Sequence, residues 1–315
     1  MRLPVTSLIV LVATLLVACG GEESSNRSDG GLYLVATTGQ VGDLAEQVGG
    51  DRVKVSTLMG PGIDPHLYKA SAGDVERLRK ADAIFYNGLH LEAKMGEVIA
   101  AMGARKPTLA VAEAIPAAKL RALEGHEGLY DPHVWFDLGL WGLTAGAVAA
   151  KLSELDPDHR GEYEERAAAY AAEIDKLDAY ARERFASIPE GQRVLITAHD
   201  AFGYLGRAYG LEVRGLQGIS TATEAGTGDV QDLAALIAER KIPALFVETS
   251  VSPRAIRAVL EAVRARGFEV SVGGEVFSDA MGDKDTSEGS YLGMVRHNVD
   301  TITDALLGKE SHVEE

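Results

Sequence analysis

The feature that most constrains this chain is a charged stretch from Pro157 to Ser187, with no internal proline, that separates two runs of β-rich segments. Within it Tyr163, Ala167, Tyr170, Ile174, Leu177 and Ala181 recur at spacings of four and three, so they form one apolar stripe on a helix. Glu162, Glu164, Glu165, Arg166, Glu173, Asp175, Lys176, Asp178 and Arg182 occupy the faces between. Its only glycine, Gly161, falls in the first turn. Such a helix is about 45 Å long, enough to run along two small domains. A short coiled coil is the competing reading, but three heptads with alanine and tyrosine in the seam make a weak one.

Candidate strands on the near side of this helix are Leu32–Thr37, Val53–Leu58, Ala83–Asn87 and Thr108–Val111. On the far side they are Arg193–Ala198, Glu212–Leu216, Ala244–Glu248 and Glu269–Val272. Helical segments such as Ser71–Lys80 and Val230–Arg240 lie between them, and this alternation predicts parallel sheets covered by helices. The fold class is therefore α/β: two lobes, each with a four-stranded, mainly parallel sheet, joined by the long helix. The expected boundaries are 32–156 for the first lobe, 157–188 for the helix and 189–308 for the second lobe, with a polar tail at 309–315.

The N-terminus carries its own signal. After Met1-Arg2 an apolar run leads to Leu16-Val17-Ala18-Cys19, and Cys19 is the only cysteine in the chain. The run is short for a membrane span and fits a signal peptide over residues 1–18. The four residues ending in Cys19 resemble a bacterial lipobox, which implies cleavage before Cys19 and lipid attachment to its sulfur. The following "GGEESSNRSDGG" reads as a flexible tether, giving 19–31 as lipidated cysteine and linker. Disulfides and thiolate–metal chemistry are then excluded from the mature chain. A net charge of −16 argues against nucleic acid and against adhesion to anionic lipid through a basic patch. "EAGTGD" at Glu224–Asp229 lacks the Gly-Lys-Ser/Thr ending of a phosphate loop and reads as the turn into a helix near Asp229.

Asp-Pro-His occurs twice, in "GIDPHLY" and in "LYDPHVWFD". Proline fixes its own φ and keeps the preceding aspartate out of helical geometry, so each histidine is presented on a stiff, extended step. His66 follows the strand Val53–Leu58 after a Gly-Pro-Gly turn, His199 follows Arg193–Ala198 directly, and Asp279 follows the last strand by a short loop. Ligands of open α/β sheets gather beyond the carboxyl ends of strands. Three stiffly presented histidines, His66, His133 and His199, with Asp279 suggest a first shell for a divalent transition ion. Asp64, Asp131 or other nearby carboxylates are candidates for orienting the imidazoles. His312 and His159 are expected to be solvated, and His90 and His297 to have packing or hydrogen-bonding roles in or beside helices. His126 stands alone in a loop.

The stretches "DPHLY", "ADAIFYNGLHLE", "DPHVWFD", "TAHDAFGYLGRAYGLEV", "GLQGISTATEA" and "FSDAMGDKDTSEGSYLGMVRHN" resemble the TroA-like solute-binding lipoproteins of bacterial ABC importers for zinc, manganese and iron. The resemblance spans about Leu32 to Leu307. It implies two lobes on a rigid helix with the ion in the cleft, His66 and His133 coming from the first lobe and His199 and Asp279 from the second. It implies a metal as cargo, Zn2+ or Mn2+ with Fe2+ as a further candidate, and no catalytic cofactor. Its partners are a cognate permease with a cytoplasmic ATPase, and the membrane through the lipid anchor; the chain is expected to be an extracytoplasmic monomer and not an enzyme. The segment before the second motif is short and holds only His126 ahead of the ligand, so the chain resembles the zinc/manganese type rather than the type with a histidine-rich loop. Two other classes compete: a zinc hydrolase, for which the fourth position is already filled by Asp279 and no general base is evident, and a surface adhesin with a structural metal, for which no adhesive repeat is visible.

Overall fold

The computed structural model describes residues 31–123 and 125–309. The signal peptide, Cys19, the tether before Gly31 and His312 lie outside the described residues.

All eight expected strands form. In the N-terminal half β1 (Leu32–Ala36), β2 (Val53–Thr57), β3 (Ala83–Tyr86) and β4 (Thr108–Ala110) make a parallel sheet in the order β2-β1-β3-β4. The helices between them are α1 (Gly39–Gly49), α2 (Ala72–Lys80) and α3 (Gly96–Gly103). Ser71 caps α2 in a reciprocal pair with Asp74: each side chain accepts from the other's backbone N–H. The order reverses at β1, so the crevice beyond the carboxyl ends of β1 and β3 is the favoured ligand position.

In the C-terminal half β5 (Val194–His199) pairs with β6 (Glu212–Gln217), and β7 (Ala244–Glu248) with β8 (Ser271–Val276), all parallel. The expected single four-stranded sheet is thus two parallel pairs, with β5 packed beside β7. At the carboxyl ends of β5 and β7 a side chain stands in for the ladder: the His199 backbone N–H donates to Glu248 Oε1 at 2.8 Å. β8 begins later than its sequence suggests and runs through Gly273-Gly274. A Cβ at Gly273 would press into Phe246 and Ala305, so glycine is what lets this strand lie close to its neighbours. Helices α6 (Gly203–Tyr209), α7 (Thr227–Arg240), α8 (Arg254–Arg264) and α9 (Tyr291–Leu306) complete this half.

Between the halves run α4 (Leu138–Leu155), a short turn at Pro157–His159, and α5 (Arg160–Ala186), the long helix expected from the stripe. Tyr163, Ala167, Tyr170, Ile174, Leu177 and Ala181 are all buried, together with Phe185. Helix α5 packs on α1 and α4 from one half and on α6 and α9 from the other. Its polar contacts divide the same way. Toward its start, Tyr170 Oη donates to Asp43 Oδ2 at 2.7 Å and Glu162 pairs with Arg52 at 3.0 Å. Toward its end, Arg184 pairs with Asp300 at 3.0 Å and Asp304 at 2.9 Å, and Tyr209 donates to Asp178 at 2.8 Å. The largest apolar core follows this helix, running without a break from Leu32 and Leu44 in the N-terminal half to Tyr291 and Leu306 in the C-terminal half. Val194, Ile237 and Val259 belong to a second core inside the C-terminal half, and Ile84 and Leu78 to a third on the outer face of the N-terminal sheet.

Because Ile174 is fully buried in that shared stripe, Ile174→Ala should destabilise the metal-free protein by about 2–5 kcal/mol in denaturant titrations. Lys176→Ala on the exposed side of the same helix should change stability by less than about 0.5 kcal/mol.

Candidate metal centre

The four residues singled out from the sequence come together. His66 follows β2 and a turn, His133 follows Asp131-Pro132, His199 ends β5, and Asp279 follows β8 with only Phe277 and Ser278 between. One donor atom from each lies within 4.8 Å of those of the others, and all four side chains are buried. His66 Nε2 is 3.3 Å from His133 Nε2 and 3.4 Å from Asp279 Oδ2. Asp279 Oδ1 is 3.3 Å from His133 Nε2, and Oδ2 is 3.3 Å from His199 Nε2. A tetrahedral ion with bonds of about 2.0–2.1 Å holds its donors about 3.3–3.4 Å apart. These four separations match that edge, and the whole set, within 4.8 Å, is compact enough to surround a first-row dication. His199 Nε2 and both oxygens of Asp279 are buried and have no hydrogen-bond partner among the described residues, which is costly unless a cation faces them.

The repeated tripeptide has a local cause. In each copy the aspartate Oδ1 accepts from the histidine backbone N–H, at 2.8 Å for Asp64–His66 and 2.9 Å for Asp131–His133. The intervening proline has no N–H to compete, so the turn closes on the histidine. Beyond this the copies differ. Asp131 Oδ1 also meets His133 Nδ1 at 2.7 Å, while its other oxygen is paired with Arg121. Asp64 keeps to the backbone of His66 and accepts at Oδ2 from the Thr221 hydroxyl of the C-terminal half at 2.5 Å. Of the two aspartates suggested as orienting groups, only Asp131 reaches an imidazole ring.

The ring of His199 is oriented by Glu248, whose Oε2 lies 2.6 Å from Nδ1. Sequence reasoning missed this residue. Its signal was an acidic side chain closing the otherwise apolar strand "ALFVE" at the edge where the ligands gather. Asn298 was also missed: its amide accepts from Phe277 N at 2.9 Å and donates to Phe277 O at 2.7 Å, fixing the loop that carries Asp279. Gly215 on β6 passes so close to the His199–Asp200 backbone that any Cβ would collide with it. Trp135 stands edge-on to His133, and its Nε1 donates to Ser278 O at 3.2 Å, a bond between the halves. Tyr204 and Tyr291 add two more, donating to Asp131 O at 3.1 Å and Trp135 O at 2.7 Å.

The other histidines among the described residues stand apart from this cluster. His126 is exposed, His159 bonds Asp156 at 2.8 Å, and His297 lies in α9 with Nε2 3.0 Å from Glu275 O. His90, expected in or beside a helix, is exposed in a left-handed turn with φ of 66°.

The charges of the site oppose one another. Burial pushes His66 down to about 4, so its ring is neutral at ordinary pH. Burial acts the same way on His133, but Asp279 and Asp131 outweigh it and hold the ring up at about 9. For His199, burial is outweighed by Glu248 and Asp279, which raise it well above the ordinary histidine value. Asp279 would be raised by burial, yet His199 and His133 hold it well below the usual carboxylate range.

Residues 34–305 match the family ZnuA, "Zinc-uptake complex component A periplasmic", and the chain belongs to that family of metal-binding solute-binding proteins. Among its relatives, the zinc-binding protein TroA of Treponema pallidum (strain Nichols) is 52% identical over 279 residues, covering 89% of this chain and 90% of the relative. The manganese-binding lipoprotein MntA of Bacillus subtilis (strain 168) is 47% identical over 307 residues, covering 97% and 100%. The solved structure of periplasmic zinc-binding TroA from Treponema pallidum superposes with a TM-score of 0.86, covering 88% of this chain and 99% of that one. That of Fe(III)-bound YtgA from Chlamydia trachomatis, 25% identical, has a TM-score of 0.79 over 87% and 98%.

Two outcomes are expected. Glu248→Gln should weaken metal binding by about 10–100-fold in chelator competition, since it loosens the ring of His199. An ion must displace the Nε2 protons of His133 and His199, so affinity should fall as pH drops. The slope should be about one to two decades per pH unit below about pH 8, with His66 contributing nothing there. Chelator competition between about pH 6 and pH 8 measures that slope.

Proposed function

We propose that this chain is the extracytoplasmic capture subunit of a bacterial metal ABC importer, with His66, His133, His199 and Asp279 as the ligands of its cargo. The observation that carries this reading is the convergence of four buried donors, two from each half, to within 4.8 Å of one another. Zinc is favoured by the donor set, because three imidazole nitrogens follow the Irving–Williams order. Manganese and iron are further cargo candidates, in keeping with the manganese-binding and Fe(III)-bound relatives.

Each half brings two ligands, so the bound ion cross-links them and favours the closed cleft. A permease then meets a different surface when the site is filled than when it is empty. Helix α5, fastened to both halves, limits this closure to a small movement. The protein binds and releases without chemistry on the ion, since four protein donors leave no position for an activated water. The domain division we favour is 32–156, 157–188 and 189–308, preceded by a cleaved signal peptide. Lipid on Cys19 anchors the chain as a monomer outside the cytoplasmic membrane, where the permease and its cytoplasmic ATPase receive the ion.

Elemental analysis of the purified protein tests the ligand set. The wild type should hold about one ion per chain after dialysis, and His199→Ala or Asp279→Ala should lose it. Retention of a full equivalent by both variants would overturn the assignment.

A further inference from the structure

The chain turns sharply after β3, at Asn87–Glu92. Gly88, Leu89 and His90 take left-handed φ values of 85°, 51° and 66° in succession. Leu89 and His90 carry side chains, so the conformation is strained and persists only if its surroundings enforce it. Glu92 does so from inside. Its buried carboxylate accepts from Thr37 Oγ1 at 2.7 Å, from Asn87 N at 2.7 Å and from Gly88 N at 3.2 Å.

The turn aims one side chain. Asn87 is fully buried, and its Nδ2 donates to Gly88 O at 3.1 Å and to Pro132 O at 3.0 Å. Pro132 O belongs to the peptide whose N–H is that of His133, and this N–H is already held by Asp131 Oδ1 at 2.9 Å. The peptide plane is thus gripped on its carbonyl side by Asn87 and on its N–H side by Asp131. Its rotation decides where the His133 ring points.

We infer that Asn87 is a positioning residue for His133, with Glu92 and the strained turn holding Asn87 in place. Asparagine suits the task because it supplies two donors to two carbonyls without charge; an aspartate would set a carboxylate against them. Val134 N also donates to Pro132 O, at 2.9 Å, so removing Asn87 loosens the plane without leaving that carbonyl bare. The inference rests on the metal-capture reading, and its test separates the two.

Zinc affinity is measured by chelator competition for wild type, Asn87→Ala, His133→Ala, the double variant and His199→Ala, with the cobalt(II) absorption spectrum recorded for each. Asn87→Ala should bind zinc about 10–100-fold more weakly and give an altered cobalt spectrum. In the His133→Ala background the same substitution should cost almost nothing, because its effect passes through that ring. An equal loss in both backgrounds, or wild-type affinity in Asn87→Ala, overturns the inference. Wild-type affinity in His199→Ala instead overturns the metal-capture reading itself. Should Asn87→Ala fail to fold, Glu92→Gln takes its place in the same cycle. Failure of both to fold would also overturn the inference, making the turn a folding element.

Discussion

Everything around the cleft follows from the burial of Asp279. Its carboxylate is almost wholly withdrawn from water, and neither oxygen has a hydrogen-bond partner among the described residues. A carboxylate in that position must be met by positive charge or become neutral. Without an ion, protons on His133 and His199 meet it, which is why those rings are held above their ordinary value while Asp279 is held below its own. With an ion, two charges on one centre replace them, and proton release accompanies binding. The buried charges of this cluster thus balance one another across both halves of the chain.

The three imidazoles are supported unequally. Among the described residues Asp131 reaches the ring of His133 and Glu248 that of His199, whereas Asp64 reaches only the backbone of His66. A carboxylate on Nδ1 fixes the tautomer that leaves Nε2 facing the site and strengthens it as a donor. His133 and His199 are thus prepared in advance. The His66 segment is tied to the opposite half through Thr221, so its position is coupled to how the halves meet.

Much of this was legible in the residues, and the reasons are local. Strands announced themselves through β-branched runs, and α5 through a stripe whose period matches the α-helix. The Asp-Pro-His steps could be read because proline and aspartate act on their immediate neighbours. The misses share the opposite property. Glu248, Asn298, Asn87 and Thr221 act across the fold, touching residues distant in sequence. Glu248 alone carries a local sign, as the acidic end of an apolar strand; nothing in the neighbourhoods of the other three distinguishes them from surface polar groups. The late start of β8 and the left-handed turn at His90 belong with them, since close packing at Gly273 and the Glu92 carboxylate override local preference.

The apolar interior shared by both ends of the chain bears on how such a protein can diversify. Neither end owns a complete set of inward-facing groups, so exchanging one for its counterpart from a distant relative would mismatch a continuous packing surface along α4, α5 and α9. Change is easier at the few side chains behind the clustered histidines, where a substitution alters the strength or angle of a ring and leaves the interior alone. Single replacements there leave the continuous core intact, whereas an exchange of halves cuts through it.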